Sequence, residues 1–189
     1  MGNLLPKEEY LMAAVIGLDS TKIEEICKKL DEEGKFIVPA NYNCSVQTVV
    51  SGVKEAVEEA ENLLKEAGAK RVILLKTSGP FHTSKLKEAK EAYEKELENI
   101  EFHEGNCKVI KNIDGAFYNK NDDMKNILAE HIVNPVRFDK AIKLMNKEGI
   151  DEYIEIGPGK ALTGFIKKDN KEAKTYNISS VETLEAYRD

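Results

Sequence analysis

Residues 12–76 switch back and forth between two hydrophobic spacings, and the order of the switches restricts the fold more than any other feature of the chain. Residues 12–18, MAAVIGL, make a short apolar run of strand length. Ile23, Ile26, Cys27 and Leu30 then recur at intervals of three and four, the face of a helix. Thr21 and Glu24 have capping-box spacing at its start, and Gly34 marks its end. Residues 36–40 and 45–51 predict two strands joined by a turn at the Asn-rich positions 41–43. Val53, Val57, Ala60 and Leu64 outline a second helix ended by Gly68, and residues 71–75, RVILL, predict a buried strand. The order is βαββαβ, the ferredoxin-like motif. Many unrelated activities use that motif, so the order alone carries no function.

The remaining chain continues the α/β alternation without a Pro-, Gly- or Ser-rich linker. Residues 76–84, KTSGPFHTS, predict a loop. Residues 84–98 predict a helix with Leu86, Ala89, Tyr93 and Leu97 on one face. A strand over 108–113 and a helix over 124–132 follow, then a helix marked by Phe138, Ala141, Ile142 and Met145 and ended by Gly149. Residues 153–156 predict a strand, Gly157-Pro158-Gly159 a tight turn and 160–167 a helix. The expected organisation is a tail over 1–11, a ferredoxin-like subdomain over 12–76 and a second unit over 77–189 with a thin sheet of two or three strands.

Composition narrows the function class. Lys and Arg total 28 against 34 Asp and Glu, a net charge of -6, which argues against nucleic acid or an anionic membrane as the main partner. No apolar run approaches the ~20 residues of a membrane span, and residues 1–10 lack the pattern of a signal peptide. Three cysteines cannot all pair with one another, which predicts a reducing cytoplasm. His103 and Cys107 sit four apart, but two ligands make a poor zinc site, so no metal is expected.

His82 is the residue around which chemistry can be built. Pro80 stiffens its approach, and Thr83 or Ser84 can cap the helix that follows, so the imidazole stands at that helix's N-terminal end. A neutral imidazole there suits a general base for a Ser or Cys nucleophile. A packing histidine beside a helix cap is the competing reading. None of Ser20, Ser45, Ser51, Ser78, Ser84, Ser179 or Ser180 lies in a Gly-x-Ser-x-Gly elbow. Gly105-Asn106-Cys107 begins such a pattern but continues Lys108-Val109, so the base has no evident nucleophile.

Five stretches, in register over 12–168, resemble the malonyl-CoA:acyl carrier protein transacylase family. SGPFHTSKL resembles its catalytic-histidine motif, and MAAVIGL the strand that opens its small subdomain. ANYNCSVQTVVSG resembles Asn-Tyr-Asn-Ser-Pro-x-Gln-x-Val-Ile-Ser-Gly. NPVRF resembles Asn-Pro-Val-x-Trp/Phe, and EIGPGKALTGFIKK the family's Glu-x-Gly-Pro-Gly-x-x-Leu-x-Gly ending. The resemblance implies a ferredoxin-like subdomain followed by the C-terminal part of an α/β-hydrolase-like acyltransferase core. It implies ping-pong acyl transfer with malonyl-CoA and acyl carrier protein as partners, and no cofactor beyond the coenzyme A thioester that is the substrate.

On that resemblance His82 is the catalytic base, oriented by a backbone carbonyl just before Asn-Pro-Val where a triad has its Asp. The family usually has Gln at the carbonyl position and this chain has His131, with Asn134 and Pro135 shaping the loop. The His131 ring shares a helix face with Met124, Ile127 and Leu128, so its side chain reads equally well as packing. Asn43 and Gln47 match cleft-facing positions, although Cys44-Ser45-Val46 stands where Ser-Pro-Gly is usual. The family's Gly-Gln-Gly-x-Gln segment, its Gly-His-Ser-x-Gly elbow and its malonyl-binding Arg have no counterpart. Arg71, Arg137 and Arg188 do not match the position of that Arg. The chain is therefore expected to be a C-terminal portion, inactive alone and with an apolar patch left bare. Its alternatives are one half of a split enzyme completed by a partner chain, or a non-catalytic carrier-protein-binding module.

Overall fold

A computed structural model describes residues 9–77, 79–103 and 105–188. Most of the expected tail and Ser78 of the histidine loop lie outside the described residues. Four strands and two helices run in the expected order: β1 (Tyr10–Ile16), α1 (Ser20–Glu32), β2 (Ile37–Cys44), β3 (Gln47–Val53), α2 (Lys54–Glu66) and β4 (Arg71–Leu74). The strands lie in the order β4-β1-β3-β2, each antiparallel to its neighbour, with α1 and α2 on one face. Ala13, Val15, Ile37 and Val50 meet Ile23, Cys27, Leu30, Val57 and Leu64 in that core. Burial of each large aliphatic side chain stabilises the fold by about 1.5–3 kcal/mol. Burial also pushes the Cys27 thiol up to about 12, so it stays protonated and inert.

Several local readings change. β1 begins at Tyr10, taking two residues from the expected tail. Asp19, not Thr21, caps α1, because its carboxylate accepts from the Thr21 N–H at 2.9 Å. Positions 41–43 are not a turn. They extend β2, and the chain reverses at Ser45 and Val46. Tertiary partners override the turn propensity of the Asn residues. Register shifts at Pro39/Asn41 and Tyr42/Cys44 bend β2. The Tyr42 hydroxyl donates to Glu24 of α1 at 2.8 Å. β4 is an exposed edge strand, not a buried one, since nothing among the described residues covers Ile73 and Leu74.

A 3₁₀ turn (Ser84–Leu86) leads into α3 (Lys87–Leu97), followed by α4 (Met124–Val133). Leu86, Ala89 and Leu97 of the expected face are buried, whereas Tyr93 is exposed. The strand expected over 108–113 is only a single bridge between Ile110 and Phe117. Then come β5 (Val136–Arg137), α5 (Phe138–Lys147), β6 (Glu152–Ile156), α6 (Ala161–Asp169), β7 (Lys174–Ile178) and α7 (Val181–Arg188). β7 and α7 have no counterpart in the sequence-based reading. β6 and β7 pair in parallel as a separate two-stranded sheet, while β5 crosses to the first sheet and pairs in parallel with β2. A second cluster, Cys44, Ile142, Tyr153, Ile166 and Ala173, joins β2 to α5, α6 and β6. The hairpin tip is tied to α6 as well, since the Ser45 N–H donates to the Asp169 carboxylate at 3.0 Å. No helix of the described chain is long and apolar enough to cross a membrane.

Gly52 faces Ile37 so closely that a Cβ would meet the Phe36 carbonyl oxygen and the Ile37 Cα. Gly52→Ala must therefore push β2 from β3, with an expected loss of about 1–3 kcal/mol on the overpacking scale. A urea midpoint unchanged from wild type would contradict this contact.

Candidate active site

The loop after β4 docks on the sheet face opposite α1 and α2. Leu75 and Phe81 pack there against Met12, Ala14, Ala40 and Val49. Pro80 and Thr83 are fully buried. The Thr83 hydroxyl donates to the Pro80 carbonyl at 2.8 Å and accepts the Lys85 N–H at 3.3 Å, closing the loop and capping the 3₁₀ turn. Between these anchors His82 adopts φ 59°. It is the only non-glycine residue with positive φ among the described residues. Such a conformation costs on the order of 1 kcal/mol and persists where surrounding contacts over-determine it. Here the anchored Phe81 and Thr83 turn the imidazole toward the end of α4.

His82 Nδ1 lies 3.0 Å from the His131 carbonyl oxygen. A carbonyl only accepts, so Nδ1 carries a proton, and in the neutral ring Nε2 presents the lone pair. That carbonyl is free for a reason written into the chain. Its helical partner would be the N–H of residue 135, and Pro135 has none. Asn134 completes the helix end. Its backbone N–H and its Nδ2 donate to the Glu130 carbonyl at 3.1 and 2.8 Å, and Nδ2 also donates to Glu130 Oε2. Lys90 of α3 donates to the other oxygen of the same carboxylate and holds Glu130 below the usual carboxylate range. Thr83, Lys90 and Glu130 thus support the pair. Thr83 was visible as a helix cap, whereas Lys90 and Glu130 stand 40 residues apart and no local pattern links them.

The His131 ring sits 5.0 Å from the His82 ring, tilted by 36°. Its buried Nε2 has no hydrogen-bond partner among the described residues. Burial holds the His131 pKa below 6.5, and His82 adds to the shift. Gln47 shares with Val49 the sheet face on which Phe81 packs, and Asn43 sits half-buried at the bulged end of β2. Among the described residues no hydrogen bond ties either side chain to His82. Arg137 is occupied. It grips Asp139 through Nε and Nη2 at 3.0 and 2.8 Å and lies 4.1 Å from the Tyr42 ring centroid. His103 and Cys107 line a separate cleft of about 720 Å³ with Phe102, Val109 and Tyr118. Among the described residues no three metal-ligating side chains converge.

No protein-family model matches the chain. Individual proteins do. The malonyl CoA-acyl carrier protein transacylase of Bacillus subtilis (strain 168) is 40% identical over 185 residues, 98% of this chain and 58% of that protein. The crystal structure of the malonyl CoA-acyl carrier protein transacylase from Clostridium perfringens superposes with a TM-score of 0.93 at 36% identity. It matches 100% of this chain and 59% of its own. The chain is a homologue of the malonyl CoA-acyl carrier protein transacylases. A third relative of this family is a type II PKS acyl-carrier protein in complex with its malonyl-transacylase (TM-score 0.90, 32% identity), covering 97% of this chain and 59% of that one. The chain spans about three-fifths of the length of the curated transacylases it matches.

Two predictions follow the histidine pair. Unfolded His131 binds a proton below its ordinary value of 6.5, while the folded site resists it. Stability therefore falls as pH drops through about 6.5 and levels off once the folded His131 also protonates. His131→Gln is expected to flatten that part of a melting-temperature profile between about pH 7.5 and pH 5; an unchanged slope would count against it. Pro135→Ala restores an N–H able to compete for the His131 carbonyl. The downfield Nδ1 proton of His82 in the NMR spectrum is expected to broaden or move upfield, and a signal identical to wild type would show that Pro135 does not free the carbonyl.

Proposed function

We propose that this chain is the general-base half of a malonyl-CoA:acyl carrier protein S-malonyltransferase. The observation that carries the reading is His82, with Nδ1–H committed to a carbonyl and Nε2 left to accept a proton. Nε2 takes the hydroxyl proton of an elbow serine supplied from outside this sequence. The serine oxygen attacks the malonyl thioester carbonyl, the C–S bond breaks, and the imidazolium returns the proton to the departing coenzyme A thiolate. In the second half-reaction His82 takes the proton of the carrier-protein thiol. That sulfur attacks the acyl-serine ester, and the serine oxygen recovers the proton. Asn134 and Pro135 hold the carbonyl that orients the ring, while Asn43 and Gln47 face the cleft from the small subdomain. The reaction needs no metal and no cofactor beyond the thioester substrate. Three free thiols, Cys27, Cys44 and Cys107, suit a reducing cytoplasm.

The chain alone is inactive on this reading, because it has neither the elbow serine nor an arginine at the position that reads the malonyl carboxylate in the family it resembles. The β6–β7 region supports completion by another polypeptide. Parallel sheets are normally covered on both faces, yet Ile154, Ile156, Val181 and Leu184 are exposed here, Ile156 at 81%.

Purified chain is expected to transfer no malonyl group from malonyl-CoA to carrier protein. Addition of a polypeptide carrying the Gly-His-Ser-x-Gly elbow restores transfer to the wild-type chain and not to His82→Ala. Transfer by the chain alone would overturn the inactivity. Complementation that survives His82→Ala would overturn the role of the base.

A further inference from the structure

At the tip of the β2–β3 hairpin this chain departs from the family stretch it otherwise resembles. Cys44-Ser45-Val46 stands where Ser-Pro-Gly is usual, so a residue with a backbone N–H takes the place of a proline. A proline stiffens such a tip through its own ring and has no N–H to donate. Ser45 gives up that internal constraint and gains two donors, and both are used. Its N–H donates to the two oxygens of the Asp169 carboxylate, at 3.0 and 3.1 Å, and its hydroxyl donates to Oδ1. The contact joins the first sheet to the end of α6, across 124 positions of sequence.

Asp169 is not where helix electrostatics would put a carboxylate. It is the last residue of α6, at the negative end of the helix dipole, where a cation is favoured. Lys167 and Lys168 just before it follow that rule. Asp169 is compensated instead by the two donors of Ser45. The neighbouring tip residues are held differently. Cys44 packs with Ile142, Tyr153 and Ile166, and burial raises its thiol pKa, with Asp169 acting in the same direction. That packing sets how close the tip lies to α5 and α6 but, being non-directional, leaves its rotation open. The Val46 carbonyl accepts the Gly17 N–H at 2.8 Å, which ties the tip back to the end of β1. Ser45 supplies the directional contact toward α6.

Asn43 and Gln47 stand on either side of this tip. Gln47 opens β3, pairs with Ile16 and shares a sheet face with Val49, on which Phe81 of the His82 loop packs. Val49 lies about 7 Å farther along the strand at 3.4 Å per residue. Asn43 falls where the pairing of β2 skips from Tyr42 with Thr48 to Cys44 with Gln47, so it is the extra residue of a bulge. With no partner across the ladder, its direction is set by whatever holds the chain at its two ends.

Resting on the reading under Proposed function, we infer that Ser45 and Asp169 are positioning residues for acyl transfer: their contact orients the β2–β3 tip, and with it Asn43 and Gln47 at the edge of the cleft. Neither touches the reacting atoms. Loss of the contact lets the tip turn while both cores stay packed. Substrate binding then weakens, whereas His82 keeps its own anchors at Thr83 and the His131 carbonyl.

The test uses the full chain completed by a polypeptide carrying the Gly-His-Ser-x-Gly elbow. Asp169→Ala is expected to raise the KM for malonyl-CoA about fivefold or more with kcat within about twofold, the pattern of lost ground-state binding. Asp169→Asn keeps an acceptor without the charge and is expected to recover most of that rise. In a Ser45→Pro background, which has neither donor, Asp169→Ala is expected to add nothing further. In the uncompleted chain, the amides of residues 43–47 are expected to exchange about tenfold faster in Asp169→Ala, with α3 and α4 unchanged. Circular dichroism melts check folding, and Ser45→Ala, with a smaller expected KM rise, replaces Asp169→Ala if that variant does not fold. A KM equal to wild type, with or without faster exchange, overturns the inference and leaves the functional reading standing. So does an equal KM rise in the Ser45→Pro background, or faster exchange throughout α3 and α4. A completed wild-type chain that transfers no malonyl group overturns both.

Discussion

Two rungs of parallel pairing, Asn41 with Val136 and Tyr42 with Arg137, hold the two parts of this molecule in one frame. On one side of β5 the chain has just left α4, so its pairing to β2 sets where the His131 carbonyl points. On the other side the chain enters α5 at once, which fixes where the apolar face of that helix meets Cys44 and Tyr153. The same strand β2 belongs to the sheet whose outer face carries Phe81. His82 and the carbonyl it bonds to are thus each referred to one sheet, from opposite directions.

The energetic logic of the site is a small strain held by many ordinary contacts. His82 at φ 59° is disfavoured by itself. Pro80 and Thr83 are buried on either side of it, and Phe81 is inserted into the apolar face of the sheet. Opposite, the Lys90–Glu130–Asn134 chain stiffens the last turn of α4. The ion pair is only partly buried, so its value is geometric more than energetic. A second imidazole at 5.0 Å adds a neighbour that prefers to stay neutral, which keeps its positive charge away from His82 at physiological pH.

Much of the first sheet was legible because its helices display one apolar face each and its glycines fall at the ends. The misreadings share a cause. The Asn residues at 41–43 have turn propensity, but a neighbouring strand 95 residues away and a tyrosine ring wedged between Glu24 and Arg137 hold them extended. The run 71–75 has the composition of a central strand, and only the strand order places it at an edge. The weak apolar pattern over 108–113 lacks a partner strand and collapses to one bridge. In the site, His82 stood out by local chemistry, and Asn134 and Pro135 through the family resemblance of the NPVRF stretch. Lys90 and Glu130 did not, because two charged residues on amphipathic helices look like solvated surface until the helices pack.

By itself the sequence determined the helix faces, the βαββαβ order, the missing hydrogen at Pro135 and the absence of an elbow serine. These are properties of residue type and spacing and need no partner to exist. Only the tertiary structure decided which carbonyl His82 engages, which carboxylate grips the hairpin tip and which apolar strands remain uncovered. Each of those is a distance between segments far apart in the chain, set by packing and strand pairing that no local pattern encodes.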